Sequence, residues 1–129
     1  MRVQGYGQAW QVNDIAGLQT ALAWRDVRGG ALLWLAPNQE NYPTLAIRIS
    51  GKIADINYFP HEGHPGFRVV GGEGLVEGEM STLVFDGCDP ASGEETPNEF
   101  VVPIETAVLV ATEFFQTKQM SKAVDWFEL

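Results

Sequence analysis

"TLAIRISGKIADINYF", residues 44–59, decides how the chain folds. Leu45, Ile47 and Ile49 alternate with Ala46, Arg48 and Ser50; after Gly51-Lys52, Ala54, Ile56 and Tyr58 alternate with Asp55 and Asn57. A period of two belongs to a strand, and a two-residue break that begins with glycine suits a type II′ turn. The stretch predicts an antiparallel hairpin with one apolar face, and such a face has to be covered.

Two amphipathic stretches supply the cover. "VNDIAGLQTALAWRDVRGG", residues 12–30, predicts a helix capped by Asn13 or Asp14, with Ile15, Leu18 and Leu22 on one face and Gly29-Gly30 at its end. A second helix follows Pro103, which suits a first helical position, and carries Ile104, Ala107, Val108, Ala111, Phe114 and Phe115 as a broad apolar stripe. "ALLWLA", residues 31–36, predicts a buried strand. Weaker strands are expected at residues 67–70 and 82–85 and in "EFVVP", residues 99–103. The expected fold is α+β: a single domain over residues 1–129, with a mostly antiparallel sheet of about five or six strands packed against two main helices.

Size and composition narrow the function. A chain of 129 residues buries roughly two-thirds of its unfolded surface, enough for a core without staples. Cys88 is the sole cysteine, so no intrachain disulfide forms, and neither a leader pattern nor a membrane-length apolar run is visible. A soluble, cytoplasmic protein is expected, a monomer or weak dimer. The net charge is −9, and no Lys or Arg occurs between Arg68 and Lys118, a stretch holding ten of the seventeen acids. Phosphate contacts need clustered cations, so direct nucleic-acid binding and membrane binding are disfavoured and a basic protein partner is favoured.

"YFPHEGHPGF", residues 58–67, places both histidines around a glutamate. The zinc-protease helix needs its histidines four residues apart; here the spacing is three, and Pro60, Gly63, Pro65 and Gly66 oppose a helix. The segment reads as a turn after a strand, without a structural metal. "GGEGLVEGEM", residues 71–80, has the glycines of a phosphate loop but no GK[ST] ending, and its glutamates repel phosphate. "DGCDP", residues 86–90, lacks the histidine that would activate Cys88. No cofactor and no catalysis are expected.

The ending, "EFFQTKQMSKAVDWFEL", carries a resemblance. Phe114-Phe115, Thr117-Lys118-Gln119 and the final Trp126, Glu128 and Leu129 resemble the bacterial immunity proteins of polymorphic toxin systems, specifically immunity family one. Its members include the antidote of a double-stranded-DNA cytosine deaminase toxin. The first helix, "YPTLAIRIS", "ADINYF" and an acidic middle follow in similar order, so the resemblance spans residues 1–129 as one immunity domain. It implies a non-enzymatic antidote that binds a cognate toxin domain, a deaminase or nuclease acting on nucleic acid, and blocks its active site. Trp126 and Phe127 read as a terminal aromatic anchor on the core. The middle differs from that antidote, so contact residues are taken from charge and chemistry instead: Glu73, Glu77, Glu79, Asp89, Glu94 and Glu95 as the acidic surface, with Tyr58, Phe59 and His61 as anchors. The competing reading is a small metal-dependent hydrolase using His61, His64 and Glu62, with Asp86, Cys88 or Asp89 as further ligands.

Overall fold

The structure, a computed structural model, describes residues 1–71, 77–86 and 93–129. Among the described residues the chain runs through β1 (Arg2–Gly5), β2 (Gln8–Gln11), α1 (Ile15–Ala23), β3 (Gly30–Ala36), β4 (Thr44–Ser50), β5 (Ile53–Phe59), β6 (Phe67–Val69), β7 (Met80–Leu83), β8 (Glu94–Pro97), a 3-10 turn (Asn98–Phe100), β9 (Val102–Pro103), α2 (Ile104–Thr117) and β10 (Trp126–Glu128). The class is α+β with a mostly antiparallel sheet, as expected, and with more strands: eight in one sheet and two in another.

The hairpin of residues 44–59 forms in the expected register, Ser50 opposite Ile53 and Thr44 opposite Phe59. Gly51 takes φ +61, while Lys52 stays out of the positive region, as a type II′ turn requires. Strand order across the large sheet is β10-β6-β5-β4-β3-β1-β2, and β9 also pairs with β5. Every pairing described is antiparallel.

One face of the sheet is covered by the helices. Val3, Leu33, Leu35, Leu45, Ile47, Ile49, Ile56 and Val69 pack there with Leu18, Leu22, Ala107, Val110, Ala111 and Phe114 in one buried cluster. Removing that apolar area from water is the main stabilising term for a chain of this size. On the opposite face, among the described residues, only one end is covered. The β7–β8 hairpin lays Leu83 and Phe85 onto Leu32 and Ile53, and the Val84 N–H donates to the Ser50 hydroxyl at 3.0 Å.

Several boundaries differ from the sequence expectation, each for a local reason. Helix α1 is capped by Asp14, whose Oδ1 accepts from the Gly17 N–H at 2.7 Å, but it ends at Ala23, not near Gly29. Trp24 turns extended, packing edge-on against Trp10 at 5.7 Å. The Arg25 guanidinium donates to the carbonyls of Leu22 and Trp24. Asp26 then closes a turn by accepting from the N–H groups of Arg28 and Gly30. Pro103 is the N-cap of α2, not its first helical residue. The strand expected at residues 82–85 lies at Met80–Leu83, and "EFVVP" divides between the 3-10 turn and the two-residue β9. The pairs β1–β2 and β7–β8 and the terminal β10 complete the pattern. An Asp14→Ala variant should lose about 1 kcal/mol in urea unfolding, since it frees a helix donor; an unchanged midpoint would mean the cap contributes nothing.

The C-terminal segment is tied to α2. The Glu113 carboxylate accepts from the Ser121 hydroxyl at 2.6 Å and from the Lys122 N–H at 3.3 Å, and the Trp126 indole N–H donates to the Ser121 carbonyl at 2.9 Å. These bonds hold the Glu113 carboxyl below its usual range, the Ser121 bond most of all. Trp126 is half-buried against the core as expected; Phe127 points to the other face and is 51% exposed. No helix among the described residues is long and apolar enough to cross a membrane.

Candidate functional site

Among the described residues, the half of the outer sheet face left open by the β7–β8 hairpin is where aromatic, cationic and acidic side chains meet around open space. Strand register sets a row across it: Gln4 on β1, Trp34 on β3, Ala46 on β4, Asn57 on β5, Arg68 on β6 and Phe127 on β10. A groove of about 410 Å³ runs over this row, walled by Trp34 and Phe59, floored by Arg48, Asn57 and Arg68, and edged by Glu94. Trp34 is 43% exposed and stacks on Phe59 with ring centroids 6.2 Å apart. It also walls an adjoining cavity of about 680 Å³ with Arg2, Glu40, Tyr42, Thr44 and Glu62. Arg2 shapes the rim of that cavity by donating to the carbonyls of Pro37 and Glu40 at 3.0 and 2.8 Å.

The groove floor is organised by one fully buried carboxylate. Asp55 sits opposite Arg48 in the β4–β5 register and receives both Nε and Nη2 of its guanidinium. Arg68 donates a third bond from Nη2 at 2.9 Å, and the Thr96 hydroxyl approaches Asp55 at 3.3 Å and Arg48 at 3.2 Å. Arg48 is raised further above its usual range: burial pulls it down, but the bond to Asp55 and the charges of Asp55 and Glu94 outweigh that. The Arg68 guanidinium lies 4.4 Å over the Phe100 ring, and its buried Nε–H has no hydrogen-bond acceptor. Two cations converge on Asp55, and Glu94 beside Arg48 supplies a second anion at the groove edge.

Of the expected acidic residues that the structure describes, Glu94 lines this groove, and Glu77, Glu79 and Glu95 are exposed elsewhere on the same segment. Asn98 folds the chain before β7 by donating to the carbonyls of Glu77 and Gly78 at 3.3 and 2.8 Å, and its own N–H reaches the Glu79 carbonyl at 2.9 Å. Glu77 and Glu79 are exposed there. On β8, Glu94 pairs with Leu83 and borders the groove, while Glu95 pairs with Thr82, whose side chain is also exposed. Glu73 and Asp89, with Cys88, lie outside the described residues.

The three expected anchors separate. Phe59 walls the groove. Tyr58 is only 8% exposed and belongs to the core, edge-on to Phe114 and Trp126 at 6.1 Å each, with burial raising its phenol pKa. His61 is exposed on the turn after β5 and lines a different cavity, with Met120, Lys122 and Trp126. His64 stacks on Phe67 at 5.1 Å, accepts from the Gly66 N–H at Nδ1, and lies 3.4 Å from Glu128 through Nε2. The two histidines are thus on the helix side of the turn, while Glu62 lines the outer cavity. Among the described residues no three His, Cys, Asp or Glu side chains gather to hold a metal. Incubation with a chelator should leave the melting temperature unchanged; a fall of several degrees would reveal a structural metal, whose binding energy adds directly to folding.

Trp34 and the Asp55 cluster were not singled out in the sequence, although both had a signal. A continuous apolar strand hides which residues face outward, but the two-residue period puts Trp34 opposite in face to Leu33 and Leu35. A two-residue turn at Gly51-Lys52 sets Arg48 directly against Asp55. No family model matches the chain, and no curated protein matches its sequence.

Proposed function

We propose that this chain is an immunity protein: a cytoplasmic, non-enzymatic antidote that binds a basic toxin domain acting on nucleic acid and blocks its active site. The observation that carries the reading is an aromatic-walled groove on the outer sheet face with Glu94 at its edge, in a chain whose β7–β8 segment also exposes Glu77, Glu79 and Glu95 to solvent. An enzyme that handles nucleic acid needs a cationic groove, and an acidic surface competes for it while charge complementarity speeds the encounter. Desolvated aromatic side chains then supply most of the retention. Trp34 and Phe59 fit that role, and Glu77, Glu79, Glu94 and Glu95 fit the steering role. The resemblance of the chain's ending to immunity family one supports the same reading.

The test is neutralisation of a cognate toxin domain, sought first among the genes next to the one encoding this protein, with a one-to-one complex as the expected result. Trp34→Ala should weaken that complex by about 2 kcal/mol or more, chiefly through faster dissociation, with the fold intact. Affinity unchanged in both Trp34→Ala and Phe59→Ala would move the recognition surface off this face.

A further inference from the structure

We infer that the cavity beside Trp34, bordered by Glu40, Tyr42 and Glu62, receives an arginine side chain that the partner protein projects from its basic surface. This rests on the proposed docking role of the outer face and names the chemistry of its occupant. Strand register makes the space. Arg2 stands opposite Ala36 and Gln4 opposite Trp34, while Ala46 flanks Trp34 on the other side. Alternation along each strand puts Ala36 on the face of Trp34 and Thr44 on the face of Ala46. The short Ala36 and Thr44 side chains leave a well of about 680 Å³ beside the indole, bordered by the loop that carries Glu40 and Tyr42 and by Glu62 from the turn after β5.

The groups around this well suit a cation. Trp34 is 43% exposed, and its stack on Phe59 at 6.2 Å braces the ring. An exposed aromatic face attracts a positive charge, and a planar guanidinium also stacks on it. The Glu40 and Glu62 carboxylates have no hydrogen bond or ion pair among the described residues. Arg2 lines the same well, but its Nε donates to the Pro37 carbonyl at 3.0 Å, and its Nη2 donates to the Glu40 carbonyl at 2.8 Å and the Asn41 side-chain oxygen at 3.3 Å. Its fork is therefore turned to the loop. The Thr44 hydroxyl, 8% exposed, donates to the Leu35 carbonyl at 2.9 Å and has only lone pairs left to offer. Two carboxylates against one guanidinium leave the lining with one net negative charge, whereas in the neighbouring groove Arg48 and Arg68 are matched by Asp55 and Glu94. An arginine from a basic partner brings a plane for the aromatic wall and a fork for the carboxylates. Lysine carries the charge without the plane or the fork.

The test uses the whole protein labelled with nitrogen-15, titrated at constant ionic strength with the acetylated, amidated tripeptide Gly-Arg-Gly and with its citrulline and lysine counterparts. Citrulline keeps the shape of arginine without its charge. The expected result is a saturable shift of the Trp34 indole N–H and of the Gln4 and Asn41 side-chain amides in the millimolar range, with the citrulline and lysine peptides each binding about threefold or more weaker. Glu40→Gln combined with Glu62→Gln should abolish the preference for arginine over citrulline. Both positions are exposed, so the backbone spectrum should show the fold intact. No saturable shift, equal binding of arginine and citrulline, or a preference that survives the double variant would each overturn the assignment. Equal binding of the lysine peptide would overturn the guanidinium as the occupant, and shifts confined to Arg48, Asn57 and Arg68 would overturn the site. No toxin enters these measurements, so a failure here leaves the antidote reading to its own test.

Discussion

Asp55→Asn should cost about 3–5 kcal/mol of folding stability, the range expected when one partner of a buried ion pair is removed. The carboxylate is fully buried and receives Arg48, Arg68 and Thr96. Asparagine keeps its shape but leaves two largely buried guanidiniums without their shared buried anion. Typical domains are stable by only 5–15 kcal/mol, on the order of three times this loss or less, so the variant should melt about 10 °C or more below the parent. The effect should reach beyond the β4–β5 pair, because Asp55 is also where β6 and the β7–β8 hairpin attach to the outer face through Arg68 and Thr96. Urea unfolding at neutral pH checks it; a loss below about 1 kcal/mol would mean that the two arginines find water as readily as they find Asp55.

Reversing Glu77, Glu79 and Glu95 to lysine together should slow association with a basic toxin domain about tenfold or more at low salt, and flatten the salt dependence of the rate. All three are exposed and outside the buried clusters, so folding should be preserved. Dissociation should change less, since rim charges steer the encounter while desolvated anchors hold the complex. Glu94 is left in place because its charge acts on Arg48 at the groove edge. Stopped-flow binding at several salt concentrations separates the two rates. Unchanged association by a folded variant would place the steering surface elsewhere.

The residues that were legible in the sequence share a physical trait: their pattern was long enough for its period to be unambiguous. Residues 44–59 hold two seven-residue strands and a glycine turn, and they fold as read. The apolar stripe of α2 spans fourteen helical residues, and the acidic stretch contains the exposed β7–β8 segment. Short elements were harder. β9 has two residues and β10 three, and pairing across the sheet, not local preference, makes them strands. Tyr58 and Phe59 show the same rule within one strand. Adjacent residues face opposite sides, so Tyr58 joins Ile56 in the core while Phe59 joins Asn57 on the groove. Arg68 was beyond sequence reach, because its approach to Asp55 depends on the pairing of β5 with β6.

Hydrogen exchange of this protein alone and mixed with its cognate toxin domain tests the central claim most directly. The account predicts a one-to-one complex in which protection appears at β7–β8, around Trp34 and around Phe59, while α1 and α2 exchange as in the free protein. No complex, or protection confined to the helices, would contradict it.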